Sequence, residues 1–98
     1  MMKKSPSRDG RTCKVVFQLP AAVGVDKASV CGEFNEWSPD VSLMTRQKDG
    51  AFRLALTLPA GRSYRYRYLL NGQCWYNDDG ADGYEPNPYG SEDCLIRL

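Results

Sequence analysis

The sequence predicts an all-β fold, an immunoglobulin-like antiparallel β-sandwich of about seven strands. Three observations predict it. Apolar residues recur with period 2 along several segments, and no long segment carries a helical period. Turn signals built from Gly, Pro, Asn and Asp interrupt these segments about every 8–12 residues, the spacing of a sandwich. The chain has 98 residues, enough for one domain and too few for two.

Residues 1–11 read as a flexible, solvated tail, and residues 12–98 as the folded domain. Cys13, Val15, Phe17 and Leu19 alternate with Lys14, Val16 and Gln18, a strand closed by Pro20. Ala28 to Gly32 is a second short strand, and Val41 to Arg46 an irregular third. Lys48-Asp49-Gly50 is a turn. Phe52, Leu54, Leu56 and Leu58 then alternate with Arg53, Ala55 and Thr57, a strand with one buried face that ends at Pro59-Ala60-Gly61. Tyr64, Tyr66, Tyr68 and Leu70 share one face of the next strand, with Arg65, Arg67 and Leu69 on the other. Asn71-Gly72 is a hairpin signal, and Gln73 to Tyr76 the return strand. Residues 77–91 are rich in Asn, Asp, Gly and Pro and read as a loop. Cys94 to Leu98 is the last strand.

Charge and composition exclude several functions. The net charge is +1. Lys3, Lys4, Arg8 and Arg11 stand against Asp9 in the tail, which leaves nine basic and eleven acidic groups in the rest. A slightly acidic body argues against a nucleic-acid footprint. No stretch approaches the length of a membrane span. Ser5, Pro6, Ser7 and Arg8 stand where a signal peptide would carry its apolar segment, so a cytoplasmic location is expected. Cys13, Cys31, Cys74 and Cys94 are widely spaced and fit no paired metal-ligand pattern. In a reducing compartment they are small core or surface residues; in an exported protein three disulfide pairings would be open.

There is no histidine, which removes the commonest general base and every Ser-His or Cys-His arrangement. No glycine-rich phosphate loop is present, and no cofactor is implied. Asp78, Asp79, Asp82 and Glu85 make an acidic loop. A glycosidase needs two carboxylates across a substrate cleft, which one loop of a small sandwich does not supply. With Asp78 at position 1 of a calcium loop, Asp82 and Gly83 fit positions 5 and 6, but Gly80 fails position 3 and Tyr89 fails position 12. A solvated loop is the expected reading.

The aromatics say more. Trp37 follows a strand and precedes Ser38-Pro39, so it lies in a loop; it either caps the end of the sandwich or faces solvent. Trp75 depends on the hairpin. A two-residue Asn71-Gly72 turn pairs Tyr68 with Trp75 and turns the indole to the core. A three-residue loop, Leu70-Asn71-Gly72, pairs Arg67 with Trp75 and turns it to the arginine face. The second arrangement, expected here, would suit a sugar. An indole offers an apolar platform to the C–H face of a pyranose, and a neighbouring Arg holds its hydroxyls.

Three stretches carry a resemblance. They are Gly32-Glu33-Phe34-Asn35-Glu36-Trp37; Leu58-Pro59-Ala60-Gly61 with Tyr66-Arg67-Tyr68-Leu69-Leu70-Asn71-Gly72; and Tyr89-Gly90-Ser91-Glu92-Asp93-Cys94-Leu95-Ile96. In order and spacing the chain resembles carbohydrate-binding module family 48, from about residue 13 to Leu98. That family includes the glycogen-binding module of AMP-activated protein kinase β-subunits and the N-terminal modules of isoamylases and branching enzymes. The resemblance implies α-1,4-linked glucans (glycogen, starch, maltooligosaccharides) as ligand and no catalysis. It places the stacking tryptophans at Trp37 and Trp75, the hydroxyl-binding base at Arg67, and loop contacts at Tyr89, Ser91 and Asp93. A glycogen- or starch-metabolising enzyme or a kinase-like protein is the implied partner. Three features depart from the family. Cys74 is an extra residue before Trp75. Asp93 stands for an asparagine and, ionised, only accepts hydrogen bonds. Residues 77–87 are longer and more acidic. The alternative is a protein-interaction module of the same fold that has lost the sugar site.

Overall fold

The computed structural model describes residues 2–21 and 24–98. Nine strands lie among them: β1 (Met2–Pro6), β2 (Thr12–Leu19), β3 (Ala28–Gly32), β4 (Thr45–Arg46), β5 (Phe52–Pro59), β6 (Ser63–Leu70), β7 (Cys74–Tyr76), β8 (Gly83–Pro86) and β9 (Glu92–Arg97). They form two antiparallel sheets, a sandwich. One has the order β1-β2-β5-β4; the other runs β3-β6-β9-β8, with β7 also paired to β6.

The alternation read from the sequence sets the inner faces. Cys13, Val15, Phe17 and Leu19 of β2 and Phe52 and Leu58 of β5 meet Ala28 and Val30 of β3, Tyr64, Tyr66, Tyr68 and Leu70 of β6, and Cys94 and Ile96 of β9. The rings of Phe17 and Tyr66 meet edge to face at 5.4 Å, as do those of Tyr66 and Tyr68 at 5.9 Å. Among the described residues no helix is long and apolar enough to cross a membrane.

Three segments differ from the sequence reading. Met2–Pro6, expected within a flexible tail over residues 1–11, pairs with β2 from Met2 against Phe17 to Pro6 against Cys13; residue 1 lies outside the described residues. Pattern reasoning misses β1 because it is an exposed edge held by backbone pairing. Lys4 adds a tie across the sandwich, its ammonium reaching the Asp82 carboxylate and the Arg97 carbonyl. Lysines and a terminal proline discourage any further strand from joining this edge. The irregular segment 41–46 keeps only Thr45–Arg46 as a strand, with Leu43 bridging to Ser29. Within the expected loop 77–91, Gly83–Pro86 pairs with β9. Gly and Pro at its ends disguise this strand, and an edge is where a strand tolerates them.

Asp78 is the main correction. Expected in a solvated loop, it is 1% exposed. Its carboxylate accepts hydrogen bonds from the Tyr66 hydroxyl at 2.8 Å, the Tyr68 hydroxyl at 3.0 Å and the Gly80 amide at 2.9 Å. Its own amide donates to the Cys94 sulfur, and the Tyr84 hydroxyl donates to its carbonyl. The physical reason lies in β6. Two of its inward tyrosines bring hydroxyls into the core, and buried hydroxyls need acceptors. Burial pushes the Asp78 carboxyl upward, and hydrogen bonding, to which Gly80 and Tyr66 contribute, pulls it down, so that its pKa lies below the usual carboxylate value. Burial, then the Asp78 charge, pushes both phenols far above their ordinary range. Asp82 is also committed, to Lys4 and to the Arg97 amide at 2.8 Å. Both aspartates of the calcium reading are thus engaged by protein groups, and no metal-holding cluster occurs among the described residues.

Candidate functional site

The site is built on the outer face of the second sheet. Arg65, Arg67 and Leu69 of β6 point there because Tyr64, Tyr66 and Tyr68 point inward. Trp75 joins them through the β6–β7 hairpin. Asn71 and Gly72 both have positive φ, 53° and 70°, as a type I′ turn requires, and the Gln73 amide donates to the Leu70 carbonyl at 3.0 Å. The ladder, however, resumes at Cys74, which pairs with Leu70. Gln73 and Cys74 together oppose Leu70, so one extra residue enters the strand as a bulge. That residue flips the register, and Trp75 pairs with Leu69 on the arginine face. The odd-length connection expected from the sequence is present, but its residues are 71–73, and Trp75 sits opposite Leu69 rather than Arg67. Trp75 is 47% exposed, with the Arg67 guanidinium 5.6 Å from its ring centroid.

Trp37 is placed by the loop after β3. Phe34 turns inward against Phe17 and Tyr64, each ring centroid 6.1 Å away. Asn35 braces the turn: its Oδ1 accepts from the Gly32 amide at 3.0 Å, and its Nδ2 donates to the Val30 carbonyl at 2.8 Å and to Ser42 Oγ at 3.0 Å. Glu36 and Trp37 then both take positive φ, 57° and 59°, and the Trp37 amide donates back to the Gly32 carbonyl at 2.9 Å. Consecutive left-handed residues with side chains are costly and persist where the surroundings over-determine them. The strain swings the Trp37 indole over the sheet to Trp75, centroids 6.4 Å apart and planes at 77°.

Gly32 is required for close approach. A Cβ there would lie 2.6 Å from the Arg65 carbonyl oxygen and 2.7 Å from the Phe34 ring. Gly32→Ala is expected to cost about 2–3 kcal/mol, read by urea denaturation, because backbone and core ring must both shift. Trp37 would lose its placement in the same variant.

The third wall is the connection between β8 and β9. Tyr89 stands at its tip, 90% exposed. Arg67 reaches this wall, donating from Nη1 to Ser91 Oγ at 3.2 Å and from Nε to Asn77 Oδ1 at 2.7 Å. Asn77 in turn donates to the Glu92 carbonyl, bridging the step where β7 leaves β6 and β9 begins. Among the described residues Arg67 Nη2 has no protein partner. Asp93 is 7% exposed at the base of the wall; its Oδ1 accepts from Asn87 Nδ2 at 3.1 Å and its Oδ2 from Arg65 Nη1 at 3.4 Å.

Trp37, Arg67, Trp75, Tyr89, Ser91 and Asp93, the six residues singled out in the sequence, line one groove of about 810 Å³. Glu33, Arg65, Asn87 and Pro88 line it too and were not foreseen. Glu33 has no sequence signal. Its carboxylate accepts from the Arg65 amide at 2.7 Å, just beyond the point where pairing with β3 ends at Gly32–Tyr66.

The family model for the glycogen recognition site of AMP-activated protein kinase matches residues 13–87. The chain belongs to this glycogen-recognition family. Its match takes in the Trp37 loop, Arg67 and Trp75, and ends at Asn87, before Tyr89, Ser91 and Asp93. No curated protein matches the chain. Membership makes this a carbohydrate-binding module for glycogen.

Proposed function

We propose that the chain is a non-catalytic module that binds α-1,4-linked glucans in this groove. The observation that carries the reading is the pair of indoles on one outer face, 6.4 Å apart and turned by 77°, with the Arg67 guanidinium beside Trp75. Each indole offers a platform to the C–H face of a glucose ring, and the Arg67 guanidinium beside Trp75 would donate to hydroxyls at its rim. Platforms that differ in plane suit a chain whose rings turn from one residue to the next. An α-1,4-glucan turns in this way, whereas a β-1,4-glucan presents a flat ribbon. Trp37, Arg67, Trp75, Tyr89 and Ser91 are the proposed contacts, with Asp93 at the groove's base. The module would hold a glycogen- or starch-metabolising partner on the polymer.

The test is isothermal titration with maltoheptaose and β-cyclodextrin, with cellohexaose as the control. Saturable binding of the two α-linked ligands and none of the β-linked one is expected. Heat from cellohexaose equal to that from maltoheptaose would sink the linkage argument; no heat from any ligand would sink the glucan reading.

A further inference from the structure

Tyr89 poses a problem of placement. It is 90% exposed and its ring packs on no other aromatic ring among the described residues. With no aromatic partner, the ring's position follows the backbone that carries it. That backbone is organised by one side chain. Asn87 Oδ1 accepts from the Tyr89 amide at 3.0 Å and the Ser91 amide at 3.2 Å. Asn87 Nδ2 donates to Ser91 Oγ at 3.0 Å and to Asp93 Oδ1 at 3.1 Å. The Asn87 main chain closes the same loop, its amide donating to the Ser91 carbonyl at 2.9 Å. The anchor beneath is charged: Arg65 joins Asp93 to Glu85 and to the Pro86 carbonyl, tying the ends of β8 and β9 together.

We propose that Asn87 is the positioning residue of the groove: it pre-sets Tyr89 and Ser91 for the ligand, with Asp93 as its buried anchor. The inference rests on the glucan reading of the groove. It changes the role of Asp93. Both carboxylate oxygens already accept protein hydrogen bonds, and the residue is nearly buried, so it serves the ligand through Asn87. An aspartate suits this place because it pairs with Arg65 and accepts from an amide at once. Ordering a loop before binding saves the entropy of ordering it during binding, so loss of Asn87 appears as lost affinity with the contacts formally intact.

A double-mutant cycle tests this. Maltoheptaose affinity is measured by isothermal titration for the native chain, Asn87→Ala, Tyr89→Ala and the double variant. Each single change is expected to weaken binding roughly 5- to 10-fold, and the double variant to lose clearly less than the product of the two single losses, because part of what Asn87 does is to position Tyr89. Asn87→Ala binding as tightly as the native chain, or the two losses multiplying, would overturn the proposal. A ligand-free readout separates its failure from that of the glucan reading. Hydrogen exchange at the Tyr89 and Ser91 amides, followed by NMR, is expected to quicken in Asn87→Ala while β9 amides keep their protection. Unchanged exchange there overturns the positioning role whatever the ligand; quickened exchange in a chain that binds no glucan overturns only the glucan reading.

Discussion

Asp78→Ala is expected to lower the stability of the fold by about 4 kcal/mol, a fall in Tm of roughly 16–30 °C for a domain of this size. The change removes the carboxylate that accepts from two buried phenol hydroxyls, Tyr66 and Tyr68. Removing a buried hydrogen-bond partner costs about 1–3 kcal/mol, and two such losses are a large fraction of a small domain's stability. The same accounting makes a second expectation. Adding Tyr66→Phe and Tyr68→Phe to Asp78→Ala should recover much of the loss, since deleting both partners of a buried hydrogen bond is nearly neutral. A triple variant no more stable than Asp78→Ala would show that the loss came from somewhere else.

The Asp78 network also carries a pH signature. The folded pKa of its carboxyl lies below the unfolded value, so the stability it contributes is fully present above about pH 4. It is lost as pH falls through the lower folded pKa. Native chain and Asp78→Asn, unfolded by urea in parallel, should therefore converge in stability as the solution is acidified below about pH 4. A gap between them that stays constant with acid would contradict the assignment.

Much of this architecture can be read in the sequence, for reasons that single residues make plain. Period-2 alternation placed β2, β5 and β6 and their inner faces, because one face of each is buried and a one-residue slip would expose it. The strand Ala28–Gly32 came out with its bounds intact. What escaped was structure held by hydrogen bonds rather than by burial. β1 and β8 bury little, so they leave no apolar pattern. Asp78 and Asn87 look like any polar residues of a loop, and only the tertiary fold shows that one serves two tyrosines and the other a turn. The face of Trp75 was legible because Asn71-Gly72 and the extra Cys74 posed a question of parity. The bulge that answers it at Gln73 was not, since a β-bulge depends on where the ladder resumes.

The second large effect concerns the indoles. Trp75→Ala and Trp37→Ala are each expected to weaken maltoheptaose binding by about 30-fold or more, roughly 2 kcal/mol, the loss of a buried aromatic anchor. Neither change should cost the fold much. Trp75 is 47% exposed and Trp37 half-buried on a surface loop, so Tm is expected to move by only a few degrees. Affinity lost without stability lost is the mark of a contact residue. A variant that binds as the native chain does would remove that tryptophan from the site.

The chain has two tryptophans, and both stand in the groove. Its entire tryptophan fluorescence therefore reports from the proposed site, which makes the most direct measurement a titration of intrinsic emission with maltoheptaose. The account predicts a saturable change in intensity and wavelength in the native chain. It predicts a smaller change, at higher ligand concentration, in each of Trp37→Ala and Trp75→Ala. Emission that stays constant while calorimetry shows the glucan bound would place the ligand elsewhere and contradict the account.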